Sequence, residues 1–160
     1  MKARLIVYLA LSVVITLVFP WVRQLPLGVY LPDAWLLLLL LAVPTPMPHS
    51  ARKPVLLAFC LAILRSSVCL CSPIASCASM FSALLVREAL TLRLSDSLFV
   101  YRFSCGVLAS VPMALIDINI AGQYQLHVPY SIWVWRVLLT GLVVALVKRR
   151  ATGPMFGGKR

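Results

Sequence analysis

Two polar groups sit where they are costly and could therefore do chemistry. Arg65 lies inside the apolar stretch 55–71, and Asp117 lies with Asn119 inside the apolar stretch 98–120. An arginine at the middle of a membrane-spanning helix costs about 2.5–3.5 kcal/mol on insertion scales. Arg65 could snorkel toward the polar neighbours Ser66, Ser67 and Ser72, pair internally with Asp117, or contact a ligand or partner. A proton or ion path would need more intramembrane acids than one. Glu88 and Asp96 belong to a polar stretch, and Asp33 stands at a predicted helix start, so no pair of carboxylates shares the interior for acid–base work.

The other reactive side chains are as uninviting. Cys60, Cys69, Cys71, Cys77 and Cys105 lie mostly in apolar runs. Cys69-Leu70-Cys71 is a C-x-C, without the C-x-x-C spacing of redox and zinc sites or a nearby histidine to complete a tetrahedral set. These thiols read as small buried apolar side chains. His49 and His127 fall in separate loops, no G-x-S-x-G elbow occurs, and no glycine-rich phosphate loop is present. The residues predict no catalytic, cofactor-binding or metal-ligating group, and a protein that is not an enzyme.

The elements that must hold these residues are membrane helices. Of 160 residues, 62% are hydrophobic and only 12% charged, and the mean hydropathy is +0.98. A soluble domain would be close to half apolar and about a quarter charged. One membrane helix takes about 20 residues, which leaves room for about six and short loops. The predicted class is an all-α integral membrane protein, a bundle of about six transmembrane helices at 5–22, 27–43, 55–71, 74–90, 98–120 and 130–147. Residues 1–150 form one polytopic domain, followed by a basic tail at 151–160.

Local signals mark the ends. Met1-Lys2-Ala3-Arg4 resembles the start of a signal peptide, but Val18-Phe19-Pro20-Trp21 is too bulky for cleavage, so the first helix is read as retained. Leu31-Pro32-Asp33 opens the second segment, with Asp33 as a cap for free backbone N–H groups and leucine at 36–41. That segment is short for a full span and must borrow from 27–30, tilt, or thin the bilayer. Pro44, Pro46 and Pro48 end it, and Ser72-Pro73 separates the third and fourth segments. The fourth carries Ala75, Ser76, Ala78, Ser79, Ser82 and Ala83, small residues that let helices approach closely. Residues 122–129 form a loop, and Trp133 and Trp135 anchor the last span at an interface.

Charge sets the predicted orientation. The chain carries 15 Lys and Arg against four Asp and Glu. In the six-span arrangement all the basic residues except Arg23, Arg65 and Arg136 fall on the side of the termini. The positive-inside rule then makes both termini cytoplasmic. No basic stripe with interleaved aromatics suggests nucleic acid, and the partner implied directly by composition is membrane lipid.

From Leu31-Pro32-Asp33-Ala34-Trp35 onward, over roughly residues 31–90, the chain resembles the bacterial rod shape-determining MreD family. The pieces are the Pro-Asp before a strongly apolar helix, the proline-rich and basic 44–54, the third-helix stretch Ala62-Ile63-Leu64-Arg65-Ser66, and the turn Cys71-Ser72-Pro73-Ile74-Ala75. Two departures stand out. The family's Gly-Leu-Leu-x-Asp loses its Gly and Asp at Ala62 and Ser66, and the Gly after the Ser-Pro turn is Ala75. The resemblance implies a bundle similar to the substrate-binding subunits of energy-coupling-factor vitamin transporters. It implies an inner-membrane, non-enzymatic subunit of the cell-elongation machinery, with no cofactor. The implied partners are an MreC-like scaffold and, through it, the lateral wall synthases and the actin-like MreB filament. The implied docking surface is the second helix, around Pro32, Asp33, Trp35, Leu36 and Leu40. A vitamin-type transporter subunit is the rival reading, with Gln123, Tyr124, Gln125 and His127 as a lid over an outer pocket.

Overall fold

The structure is a computed structural model that describes residues 2–43, 52–69, 71–91 and 99–148. The described residues form six helices in order: α1 Lys2–Arg23, α2 Ala34–Ala42, α3 Arg52–Val68, α4 Pro73–Thr91, α5 Phe99–Gln123 and α6 Tyr130–Lys148. A 3-10 turn, Gly28–Tyr30, precedes α2, and no strand occurs among the described residues. The proline-rich break at 44–48, His49, the polar residues 92–98 and the basic tail at 151–160 lie outside the described residues.

Among the described residues, four helices are long and apolar enough to cross a membrane: Ile6–Arg23, Pro73–Leu90, Phe99–Gln123 and Tyr130–Val147. Large apolar side chains such as Leu17, Trp21, Ile74, Leu85, Leu115 and Leu146 stand exposed on their outer faces. A water-soluble surface rarely tolerates so much continuous apolar area. This is an all-helical membrane protein.

The second segment departs most from the expectation of a span over 27–43. Pro32 lacks a backbone N–H and biases the residue before it away from helix, and Leu31 is extended at φ −63°, ψ 139°. Helix α2 therefore begins only at Ala34 and covers nine residues, about 14 Å at 1.5 Å per residue. That is roughly half a hydrocarbon core. A helix apolar on every side is covered by protein or by lipid, and α2 is enclosed by protein: Trp35, Leu36, Leu38, Leu39 and Leu40 are all buried.

The remaining helices surround it. Helices α1, α3, α4, α5 and α6 pack in that order, and the 3-10 turn bridges α6 back to α1, while α2 touches α1, α3, α4 and α6. Trp35 anchors the centre: its ring meets Phe19 edge to face at 4.9 Å, and its Nε1 donates to Thr16 Oγ1 at 3.1 Å. On α4, Ser76, Ser79, Met80, Ala83, Leu84 and Arg87 form the inward stripe, whereas Ala78 faces outward. The buried hydroxyls of Ser79, Ser110 and Thr140 donate to carbonyls of their own helices, so they cost little inside. Helices α5 and α6 touch through glycines. A Cβ placed on Gly106 would lie 2.8 Å from Gly141 Cα, a contact no larger residue permits.

Candidate functional site: an arginine–carboxylate cluster and its cavity

The cluster begins with a helix cap. Asp33 Oδ1 accepts from the backbone N–H groups of Trp35 and Leu36, both at 3.1 Å, and so satisfies the free donors at the start of α2. Its other oxygen, Oδ2, accepts from Arg65 Nε at 2.8 Å. Arg65 Nη2 donates to both oxygens of Asp117 at 2.6 Å, while Nη1 reaches Ser76 Oγ at 3.5 Å and Cys71 Sγ at 3.4 Å. One guanidinium thus ties α3 to the start of α2, to α4 and to α5.

Of the fates open to Arg65, snorkelling to water does not occur, because its side chain is only 2% exposed. The structure brings Arg65 and Asp117 together, and adds Asp33, which the sequence presents only as a cap. Asn119 is exposed on the outer side of α5, where it borders a separate surface cavity with Ser72 and Gln123, and it takes no part in the cluster.

The docking surface expected on the second helix has to be corrected. Pro32, Asp33, Trp35, Leu36 and Leu40 are buried within this single chain. Among the described residues, neighbouring helices already cover most of the leucine run, with only Leu37 and Leu41 half-buried, so little of it is open to a partner helix. A second unforeseen contact closes the other end of α2. The buried Arg87 donates through Nη2 to the carbonyl of Val43, the residue that ends α2. The aspartate at the start of α2 and the arginine at its end both oppose the helix dipole. In the sequence Arg87 simply stands beside Glu88; only the packing of α4 on α2 reveals its role.

Beside the cluster opens a cavity of about 360 Å³. It collects the last turns of α1, α3 and α5 through Arg23, Val68 and Ile120, and the first turn of α6 through Trp133. Odd-numbered helices therefore end, and even-numbered helices begin, at this one end of the bundle. A smaller space of about 30 Å³ adjoins it between Asp33, Asp117 and Arg136. The loop after α5 forms part of the rim. Gln125 adopts φ 54°, and Leu126 N–H donates to Ala121 O at 2.9 Å, a helix end that usually uses glycine. Of the expected lid residues only Tyr124 borders the larger cavity, joined by Leu126 and Val128.

Two further arginines face this space. Arg136 Nε donates to Val29 O at 2.8 Å, and its guanidinium lies 4.8 Å from the centre of the Trp133 ring. Arg23 lies 4.8 Å from the Phe19 ring centre, and its buried Nε has no hydrogen-bond partner. The cysteines are all free, and among the described residues no group of His, Cys, Asp and Glu could hold a metal ion. Cys69 and Cys71 both line the cavity; Cys71 is buried in contact with Arg65 and Ser76, and Cys69 is half-buried. Both carboxylates of the cluster already hold Arg65, which makes them brackets between helices more than bases waiting for a proton.

The chain matches no known protein family, curated protein or solved structure.

Proposed function

We propose that this chain is a non-enzymatic subunit of the bacterial cell-elongation machinery in the inner membrane, docking an MreC-like scaffold and lateral wall synthases. The observation that carries the reading is the use made of the resembling motifs. Pro32-Asp33 starts α2 and is locked by Arg65 of the third segment, and Ser72-Pro73 starts α4, with Ser72 Oγ accepting from Ala75 N–H at 3.2 Å. In this reading all six segments alternate through the bilayer. Helix α2, enclosed by protein, makes the second pass together with the chain before it, whose Val29 lines the cavity, a setting in which non-helical backbone is tolerated at membrane depth. Both termini are then cytoplasmic, and the arginine-lined cavity opens on the outer side.

Since α2 is covered, the scaffold's contact is assigned instead to α1, whose span is the least buried of the four. Val14, Leu17 and Val18 form an exposed apolar strip there, suited to packing by a partner helix. The test is co-purification from the native host with partners identified by mass spectrometry, together with photo-crosslinking from Leu17 and Trp35. Recovery of the scaffold, crosslinked at Leu17 and not at Trp35, is expected. Absence of scaffold and wall synthases, with normal cell shape after depletion, overturns the reading.

A vitamin-type transporter subunit is the second reading, and the cavity favours it. Recovery of an ATPase module in the same experiment would select it.

A further inference from the structure

We propose that the cavity binds the phosphodiester of an anionic phospholipid between Arg23 and Arg136. This site belongs neither to the cell-shape reading nor to any contact that reading requires.

The argument starts from charge. Arg23, Arg65 and Arg136 meet two aspartates, Asp33 and Asp117, around this space. Three positive charges against two negative ones leave one positive charge uncompensated. Arg65 takes both carboxylates, at 2.8 and 2.6 Å. Among the described residues, Arg23 and Arg136 form no ion pair. Their stacking on Phe19 and Trp133 holds the guanidinium planes but leaves N–H groups to spare. The Nε of Arg23 is buried with no hydrogen-bond partner, so the protein leaves this guanidinium incompletely satisfied, and a buried charged donor without a bond is expensive.

Shape and place narrow the ligand. About 360 Å³ lies within the range of small-ligand sites. Much of the wall is apolar, formed by Val29, Leu126 and Val128 beside the Trp133 ring. The site lies where three candidate spans terminate, at Arg23, near Gln123 and at Tyr130. That is the headgroup level of one leaflet, where a monoanionic phosphodiester attached to an apolar body is abundant. A guanidinium fork matches two phosphate oxygens. The single negative charge of the diester balances the single positive charge left over, and the glycerol and upper acyl carbons cover the apolar wall.

The experiment uses the full chain purified in mild detergent. Phosphatidylglycerol, phosphatidylcholine or inorganic phosphate is titrated in, with retention read by native mass spectrometry and protection by thermal unfolding. Phosphatidylglycerol should be retained and should raise Tm; phosphatidylcholine, whose ammonium faces two arginines, should do neither. Arg23→Gln and Arg136→Gln should each weaken phosphatidylglycerol binding about tenfold or more, the loss expected for one charge-assisted bond. Arg52→Gln, an exposed basic residue at the far start of α3, should leave it unchanged. Arg136→Lys retains the charge without the fork and should bind more weakly than wild type but better than Arg136→Gln. Each variant's unliganded Tm reports whether it is folded. Equal losses in the Arg23, Arg136 and Arg52 variants, or equal retention of both lipids, would overturn the site. Inorganic phosphate protecting as well as the lipid would overturn the lipid assignment and make the occupant a soluble anion.

Discussion

Replacing Arg65 with methionine, which fills similar space without charge, should be the most damaging conservative change in the interior. Wild-type Arg65 makes short bonds to two carboxylates, 2.8 Å to Asp33 and 2.6 Å to Asp117, with 2% of its side chain exposed. Removing one partner from a buried ion pair typically costs about 3–5 kcal/mol, because the remaining charge is stranded. Here two carboxylates are stranded. Asp33 keeps its bonds from Trp35 and Leu36, and Asp117, at 18% side-chain exposure, keeps some access to water, so the loss should stay near that range. For a domain of this length it corresponds to a fall in Tm of about 6–20 °C. Asp117→Asn should cost less than Asp33→Asn, which weakens a cap and a charge pair together. The triple change Arg65→Met, Asp33→Asn, Asp117→Asn should recover much of the loss, since no charge is then left without a partner. Thermal unfolding in detergent, with the variants compared as a cycle, measures all of these. An Arg65→Met protein within about 0.5 kcal/mol of wild type, the scale of an ordinary surface substitution, would refute the idea that this cluster fastens the bundle.

Three further outcomes are expected. Gly106→Ala and Gly141→Ala should each destabilise the α5–α6 contact by about 1–3 kcal/mol, since the new Cβ would fall 2.8 Å from Gly141 Cα in the first case and 2.9 Å from Phe103 O in the second; Gly122→Ala, with nothing within 4 Å, should be neutral or slightly stabilising by Tm. Arg87→Met should strand the carbonyl of Val43 at the end of α2 and lower stability by about 1–3 kcal/mol, visible as faster amide exchange in α2 than in α5. Maleimide should label the half-buried Cys69 faster than Cys71, which lines the same cavity but is buried; equal rates in the folded protein would contradict the burial of Cys71.

Much of the helix layout was legible from local chemistry. Apolar length, flanking charge and proline place the segments expected at 55–71, 74–90, 98–120 and 130–147 within a few residues of α3 to α6, because helix ends obey nearby signals: Ser72-Pro73 before α4, and Pro129 before Tyr130. The helix after Pro32-Asp33 follows the same rule, since a cap needs only the next three residues.

What the local pattern could not decide is which apolar helix faces lipid and which faces protein. Six consecutive leucines read alike to both, because lipid chains and side chains are equally apolar; only the packing of α1, α3, α4 and α6 around α2 encloses it. The partners of Arg65 were similarly beyond reach in part. Asp33 and Asp117 lie 32 and 52 positions away in opposite directions, and an ionic contact over that separation depends on how helices turn about their axes. Residue chemistry alone requires a charge in the third segment to find a partner or water, because leaving it bare in hydrocarbon costs too much. Helix packing set the outcome. It gave Arg65 both carboxylates and left Arg23 and Arg136 facing the cavity without one.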